Sequence, residues 1–150
     1  MASLTLSPLL HSSRSLQLTA RTPWSADWFI VMGIEYCQLT TSPSGQNCIH
    51  DGQGAYGGNE RCVVQAVRGL YASATMYDID SGRDYVSING AAYSLRHQGP
   101  FNVWMNAGET MQWQSDSTVA RQGFMICASQ NMLSSSPPPQ RRWRCPLILP

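Results

Sequence analysis

Short segments with alternating side chains constrain the fold of this chain more than any other feature. They cover residues 70–77, 85–89, 101–105, 111–115 and 123–127. Apolar residues recur at every second position in most of them, which is the period of a half-buried strand. Glycine and asparagine separate the segments, most clearly at Asn89-Gly90, which favours a tight hairpin turn. Strands spaced by roughly ten residues predict an antiparallel β-sandwich or barrel.

Composition divides the chain into three zones. Residues 1–27 are rich in Ser, Leu and Thr without a clear period, and we interpret them as a leader or a disordered arm. Residues 28–130 carry the strand pattern and form the predicted domain. Residues 131–150 contain a Ser, Pro and Arg run that has no means of building a core, so we expect a low-complexity, disordered tail. A chain of 150 residues suits one such domain.

The charge content argues against two classes of protein. Only 13% of the residues are charged and the formal net charge is +1, whereas binding to nucleic acid requires clustered cations. No apolar run approaches the roughly twenty residues that a membrane-spanning helix requires. We therefore expect no nucleic-acid partner and no transmembrane segment.

Five cysteines in a chain of this size favour an oxidising compartment, and hence a secreted or extracellular protein. Cys37, Cys48, Cys62 and Cys127 lie in or beside the strand-rich zone, whereas Cys145 lies in the tail. Four cysteines allow three pairings, and the sequence alone does not choose among them. The absence of a C-x-x-C pair argues against zinc. The N-terminal residues match neither a secretory signal nor a transit peptide well, so whether they are cleaved stays open.

Several pieces of sequence resemble the CUB domain, a jelly-roll module common in extracellular proteins. In chain order they are Ala55-Tyr56-Gly57 followed by Asn59-Glu60-Arg61-Cys62, then Asp84-Tyr85-Val86-Ser87-Ile88-Asn89-Gly90, then Gly99-Pro100, and finally Trp113-Gln114-Ser115-Asp116-Ser117-Thr118 with Gly123-Phe124 after it. The resemblance covers Cys37 to Ala128. It implies an all-β fold, an antiparallel β-sandwich of the jelly-roll type.

The resemblance also implies a first disulfide. Cys37 and Cys62 are 25 residues apart, which is similar to the spacing of the first CUB disulfide. The second disulfide typical of the family has no cysteines here. Instead, Cys48 lies where the first core strand should begin and Cys127 ends the last strand. If these strands are neighbours, a Cys48–Cys127 bridge would join them, and Cys145 would stay unpaired within the domain.

Many CUB domains bind calcium at one end of the sandwich through three carboxylates and a nearby tyrosine. Matched residue by residue, the carboxylates would be Asp80, in place of the usual glutamate, Asp84 and Asp116. Tyr56 would orient a carboxylate, and Thr118 stands at the serine position of the last turn. Calcium prefers several oxygen ligands, so the set is chemically consistent. The alternative is that Asp84 and Asp116 only accept backbone hydrogen bonds in turns.

These features predict a noncatalytic recognition module that binds a protein or glycan partner, with a calcium-organised loop site as one form of it. Two alternatives stay open: an accessory CUB domain or fragment of a larger extracellular protease or hydrolase, and a structural module without a ligand. The expected core residues are Val64, Leu70, Ala72, Ala74, Met76, Val86, Ile88, Val103, Trp113, Phe124 and Ile126.

Overall fold

The computed structural model describes residues 23–134. The expectations for most of the leader (residues 1–22), for most of the tail and for Cys145 therefore lie outside the described residues. Ten strands make up the described part: β1 (Trp28–Met32), β2 (Gln38–Thr41), β3 (Asn47–His50), β4 (Arg61–Ala66), β5 (Leu70–Asp78), β6 (Tyr85–Ile88), β7 (Ala91–Tyr93), β8 (Val103–Met105), β9 (Thr110–Gln114) and β10 (Gly123–Ser129).

The strands form two five-stranded antiparallel sheets that pack face to face. The first has the order β1-β4-β9-β6-β7 and the second β2-β3-β10-β5-β8. Every neighbouring pair is antiparallel. The all-β antiparallel sandwich is thus confirmed, and it is one of the two architectures, sandwich or barrel, that the alternating segments predict. None of the residues from 23 to 134 belongs to a helix long and apolar enough to cross a membrane.

Both sheets contribute side chains to one core. Trp113 in β9 packs against Phe124 in β10, with ring centroids 5.1 Å apart, so these aromatic residues join the two layers. Eight of the expected core residues are buried: Val64, Leu70, Ala72, Val86, Ile88, Trp113, Phe124 and Ile126. Burial of this kind supplies most of the free energy of folding in a small domain.

The expectation for Met76 is wrong, because that side chain is 40% exposed. Met125 pairs with Met76 while Ile126 pairs with Ala74, so Thr75 is an extra residue in β5. Such a β-bulge places two successive side chains on the same side and reverses the alternation beyond it. Tyr77 consequently points inward in place of Met76. Ala74 and Val103, also expected in the core, are half-buried.

The hairpin turn expected at Asn89-Gly90 joins β6 to β7. Ile88 pairs with Ala91, so Asn89 and Gly90 make up the whole loop. Their φ angles are 51° and 80°, respectively. A two-residue hairpin of type I′ requires positive φ at both positions, and asparagine and glycine tolerate this better than other residues.

Two disulfides tie the sandwich together, with the pairing expected above. Cys37 is bonded to Cys62, with 6.1 Å between their Cα atoms. Cys48 is bonded to Cys127, and the two lie directly opposite each other in β3 and β10, with Cα atoms 4.0 Å apart. The second bridge joins residues 79 positions apart, and such a loop closure stabilises by roughly 4 kcal/mol in the chain-entropy model. Two disulfides suit an oxidising, extracellular-type environment.

Candidate functional site

The hydroxyl of Tyr56 lies at the centre of a polar network at one end of the sandwich. It donates a hydrogen bond to Oδ2 of Asp84 and accepts one from the backbone N–H of Asp80 at 2.9 Å. The other oxygen of Asp84 accepts the backbone N–H of Asp116 at 2.8 Å. Three connections, β3–β4, β5–β6 and β9–β10, therefore meet here, and they bring together the carboxylate-bearing residues expected from the sequence.

Tyr56 is held rigidly enough to act as a fixed donor. Its ring is buried and lies edge-on to Trp113, with centroids 5.1 Å apart, and its backbone N–H donates to the carbonyl of Arg121 at 3.1 Å. Burial raises the pKa of the Tyr56 hydroxyl well above its usual range, and the hydrogen bond to Asp84 raises it further. The hydroxyl consequently stays protonated at neutral pH.

Asp84 is fully buried, and both of its oxygens have a protein donor. Its backbone N–H also donates to the carbonyl of Asp80 at 3.1 Å, which closes a turn before β6. A carboxylate in such surroundings holds neighbouring loops in place, because each hydrogen bond replaces one that water would make. The geometry agrees with the turn-forming role that was the alternative to calcium binding.

Asp116 and Asp80 each face an arginine that the sequence analysis did not single out. Arg83 Nη1 is 3.5 Å from Oδ2 of Asp116, and Arg121 Nε is 3.8 Å from Oδ1 of Asp80. Both distances are long for a hydrogen bond, so these are loose ion pairs. The sequence did hold a signal for these arginines. Arg83 directly precedes Asp84, and Arg121 lies in the β9–β10 connection, which also carries Asp116.

Thr118 caps the turn that contains Asp116. Its backbone N–H donates to Oδ1 of Asp116 at 2.8 Å, and its hydroxyl donates to the same oxygen. These hydrogen bonds, followed by Arg83, lower the pKa of Asp116. The position of Thr118 beside a site carboxylate matches the sequence expectation, although its described role is to fix the turn.

The carboxylates as arranged do not form a ready calcium cage. Over residues 23–134, no group of three or more His, Cys, Asp or Glu side chains is placed to hold a metal ion. Asp84 uses both oxygens on protein donors, whereas a calcium site requires about six to eight oxygen ligands around the ion. Ligation would require Arg83 and Arg121 to leave Asp116 and Asp80. Calcium binding by these residues stays a prediction.

Asp78 lies close in sequence but outside the network. Its carboxylate pairs with Nε of Arg96, and this contact lowers the pKa of Asp78. Asp78 therefore offers a matched acidic control for substitutions in the Tyr56 network.

Comparison with known proteins returned no relative. No model of a known protein family matches the chain, and no curated protein and no solved structure matches it either.

Proposed function

We propose that this chain is a noncatalytic, extracellular recognition module of the CUB type, and that the loop end around Tyr56 binds a protein or glycan partner. The observation that carries the proposal is the convergence of three loops on Tyr56 and Asp84, on a sandwich tied by two disulfides. Binding residues commonly sit on loops that a rigid scaffold positions.

The chemistry at this end favours binding over catalysis. Cys37, Cys48, Cys62 and Cys127 are in disulfides, so none of them is a thiol nucleophile. The raised pKa of Tyr56 keeps its hydroxyl protonated, so it is a poor general base. A network of satisfied donors and acceptors instead presents a surface of fixed shape to a partner.

A calcium-organised form of this site is part of the proposal. In the calcium-binding CUB domains that the sequence resembles, the ion holds carboxylates that pair with a basic side chain of the partner, and here these would be Asp84 and Asp116. The two arginines already supply positive charge beside Asp80 and Asp116. Because both ion pairs are loose, a divalent cation would compete with them at modest cost.

The calcium form is tested by thermal unfolding of the full chain in millimolar calcium and in chelator. Calcium that binds only the folded state should stabilise it by about 2.7 kcal/mol at roughly a hundredfold excess over Kd. Asp116→Ala should abolish that gain, and Asp78→Ala should retain it. Superimposed curves for the unsubstituted protein would reject the calcium form.

Partner binding is tested separately, on a panel of extracellular matrix proteins and glycans. If a panel member binds the unsubstituted protein, we expect Asp116→Ala to abolish that binding and Asp78→Ala to retain it. Only Asp116 belongs to the Tyr56 network. Binding that is equal in both variants would place the partner elsewhere. A fully satisfied Asp84 is also what a structural module without a ligand requires, so no binding to the panel would favour that alternative.

A further inference from the structure

A groove of about 570 Å³ lies along residues 74–78 of β5, beyond the part of that strand that pairs with β8. The β-bulge at Thr75 turns Met76 outward into this region, and the connection between β7 and β8 supplies Phe101 opposite it. Met76 is 40% and Phe101 51% exposed, although both side chains are large and apolar. The volume is within the range of ligand-binding sites, roughly 300–1,000 Å³.

Hydrogen bonds and close packing fix the two walls of the groove against each other. The carbonyl of Pro100 accepts the backbone N–H of Ala74 at 2.7 Å, and His97 donates its backbone N–H to the carbonyl of Tyr77 at 2.9 Å. A Cβ atom on Gly99 would lie 2.6 Å from the Cβ of Ala74, so this approach requires a glycine. The groove is therefore formed before any ligand arrives, which reduces the entropy lost on binding.

The described part of the chain ends beside this groove. Ser129, the last residue of β10, pairs with Tyr71, and four residues later Leu133 is bound to the side chain of Asn102. Leu133 donates its N–H to Oδ1 of Asn102 and accepts the Nδ2–H of Asn102, each at 2.8 Å. Asn102 in turn donates its backbone N–H to the hydroxyl of Ser73 at 2.8 Å. Beyond β10 the chain thus advances along β5 from Tyr71 to Ser73, towards the groove.

The sequence that follows Leu133 contains three consecutive prolines, at positions 137–139. Consecutive prolines restrict the backbone to the polyproline II conformation, with a rise of about 3.1 Å per residue. Four residues of extended chain span at most about 14 Å, which is similar to the roughly 13 Å that residues 74–78 cover in a strand. The prolines are therefore within reach of the groove. Grooves that carry aromatic side chains bind such segments well, because the conformation is largely set before binding.

We propose that the proline run at positions 137–139 binds in the groove between Met76 and Phe101 of its own domain. The proline rings cover the two exposed apolar side chains, and the contact with Asn102 directs the chain towards them. A short tether gives an effective concentration on the order of millimolar, so even a weak contact is populated. The inference is independent of the proposed function, because it involves none of the residues in the Tyr56 network.

A tethered segment suits the groove better than a second folded copy of the chain. The groove is lined by ten residues, whereas a stable dimer uses roughly 20–30 on each side. Association of two molecules also costs translational and rotational freedom, which a segment of the same chain has already lost. A narrow site between one strand and one loop therefore favours a single extended segment.

The test places a nitroxide spin label on Cys145 of the isotope-labelled full chain. Cys145 is the cysteine that the two disulfides leave over, so it takes the label without a substitution. A nitroxide broadens the amide signals of residues close to it. We expect a loss of signal intensity at Met76 and Asp78, relative to the same sample after ascorbate has reduced the label. Ser87 and Gln112, in strands of the other sheet, should keep their intensity.

The first variant changes the tail alone. The triple substitution Pro137→Ser, Pro138→Ser and Pro139→Ser keeps the length of the tether but removes the proposed contact. It should restore most of the intensity at Met76 and Asp78. Because it lies outside the residues that form the sandwich, this variant gives a decision even if a change in the groove prevents folding.

The second variant changes the groove. Phe101→Ser removes one of its exposed apolar side chains and should also restore the intensity at Asp78. Leu95→Ser is the matched control, since Leu95 is likewise 51% exposed but lies outside the residues that line the groove. It should leave the intensity loss unchanged.

An intensity loss that is the same with and without the three prolines would overturn the inference, as would one that is the same in Phe101→Ser and Leu95→Ser. A second copy as occupant is tested by mixing spin-labelled chain that carries no isotope with isotope-labelled chain whose Cys145 is alkylated. Broadening at Asp78 in that mixture would show that the tail enters the groove of another molecule, and would overturn binding within one chain. We expect none.

Discussion

Asp51 and Asp84 are both buried, but their carboxylates are satisfied to different degrees. Asp84 has a donor for each oxygen, from Tyr56 and from the backbone of Asp116. Among residues 23–134, Asp51 finds a donor for one oxygen only, and burial raises its pKa to about 7. The depth of burial therefore does not by itself tell how well a carboxylate is satisfied. The number of hydrogen-bond donors that the fold supplies does.

The difference has a physical origin in what each group loses on leaving water. A buried carboxylate loses its hydration, and hydrogen bonds from the protein must replace it. Asp84 is surrounded by polar groups of three loops, whereas Asp51 faces Gly123, which offers only a Cα. We expect the stability contribution of Asp51, and not that of Asp84, to depend strongly on pH near neutrality.

The largest effect is expected where the two regions meet. Phe124 donates its backbone N–H to Asp51, and its ring packs on Trp113, which in turn contacts Tyr56. Phe124→Ala should cost about 3–5 kcal/mol of unfolding free energy, because it leaves a cavity in the core. Urea unfolding would measure this loss. A cost below about 1 kcal/mol would mean that the packing between the sheets is wrongly described.

Removing the satisfied carboxylate should come next. Asp84→Ala leaves the Asp116 N–H without its acceptor and leaves the Tyr56 hydroxyl only the carbonyl of Val119, at 3.3 Å. An unsatisfied buried donor costs about 1–3 kcal/mol. We expect a total loss of about 2–5 kcal/mol in chelator, measured by the same urea unfolding. An unchanged unfolding free energy would show that water replaces the carboxylate. Asp84 and Asp51 would then not differ in how far the fold depends on their hydrogen bonds.

Substitution of Asp51 should have the opposite effect on stability, and the size of that effect should depend on pH. Its folded-state pKa of about 7 lies above the value of 3.8 for an unperturbed aspartate, so the folded protein keeps a proton that the unfolded chain has lost. Stability conferred by the protonated form is therefore complete below about pH 4 and is lost as the pH rises towards 7. Asp51→Asn does not ionise, so the variant should gain stability relative to the unsubstituted protein over this window.

We expect that relative gain to be about 2 kcal/mol between roughly pH 4 and pH 8, below the ceiling of about 4 kcal/mol that three pKa units set. Comparing urea unfolding of the two proteins at each pH removes the contributions of all other groups. A difference that is constant across the range would mean that Asp51 titrates normally, and that its second oxygen has a donor in solution.

The smallest effect is expected for the exposed control. Arg96 pairs with Asp78 at the surface, and its side chain is 43% exposed. Arg96→Ala should change the unfolding free energy by less than about 1 kcal/mol, because solvent screens exposed ion pairs. Raising the salt concentration should reduce even that difference. A larger loss would indicate that this exposed ion pair contributes more to the unfolding free energy than solvent screening should allow.

Local pattern was enough to find much of the fold. The alternation around Val86 and Ile88 and the turn at Asn89-Gly90 depend on neighbouring residues only, and both were predicted correctly. The strands β1, β2 and β7 were not specified by such a pattern. All three are edge strands; β2 and β7 bury no side chain fully, and β1 is apolar at every position, so it shows no alternation. Their position is set by the partners with which they pair.

The candidate site divides in the same way. The CUB resemblance selected Tyr56, Asp84 and Asp116, and these three residues do form one hydrogen-bonded network. It gave no indication of the arginines that face the carboxylates, since an ion pair depends on how two loops approach each other. It also passed over Asp51, whose significance depends on a glycine in another strand.

The sequence by itself determined an antiparallel β-sandwich or barrel with cysteines available for disulfides, because periodicity, turn residues and cysteine number are properties of the chain. Only the tertiary structure decided which way β5 faces beyond Thr75, since a bulge exists only relative to the register of β10. Likewise, only the tertiary structure showed that the carboxylates of Asp51 and Asp84 differ in their hydrogen bonding. Hydration and hydrogen bonding of a buried carboxylate are set by atoms distant in sequence, such as those of Phe124, 73 residues from Asp51.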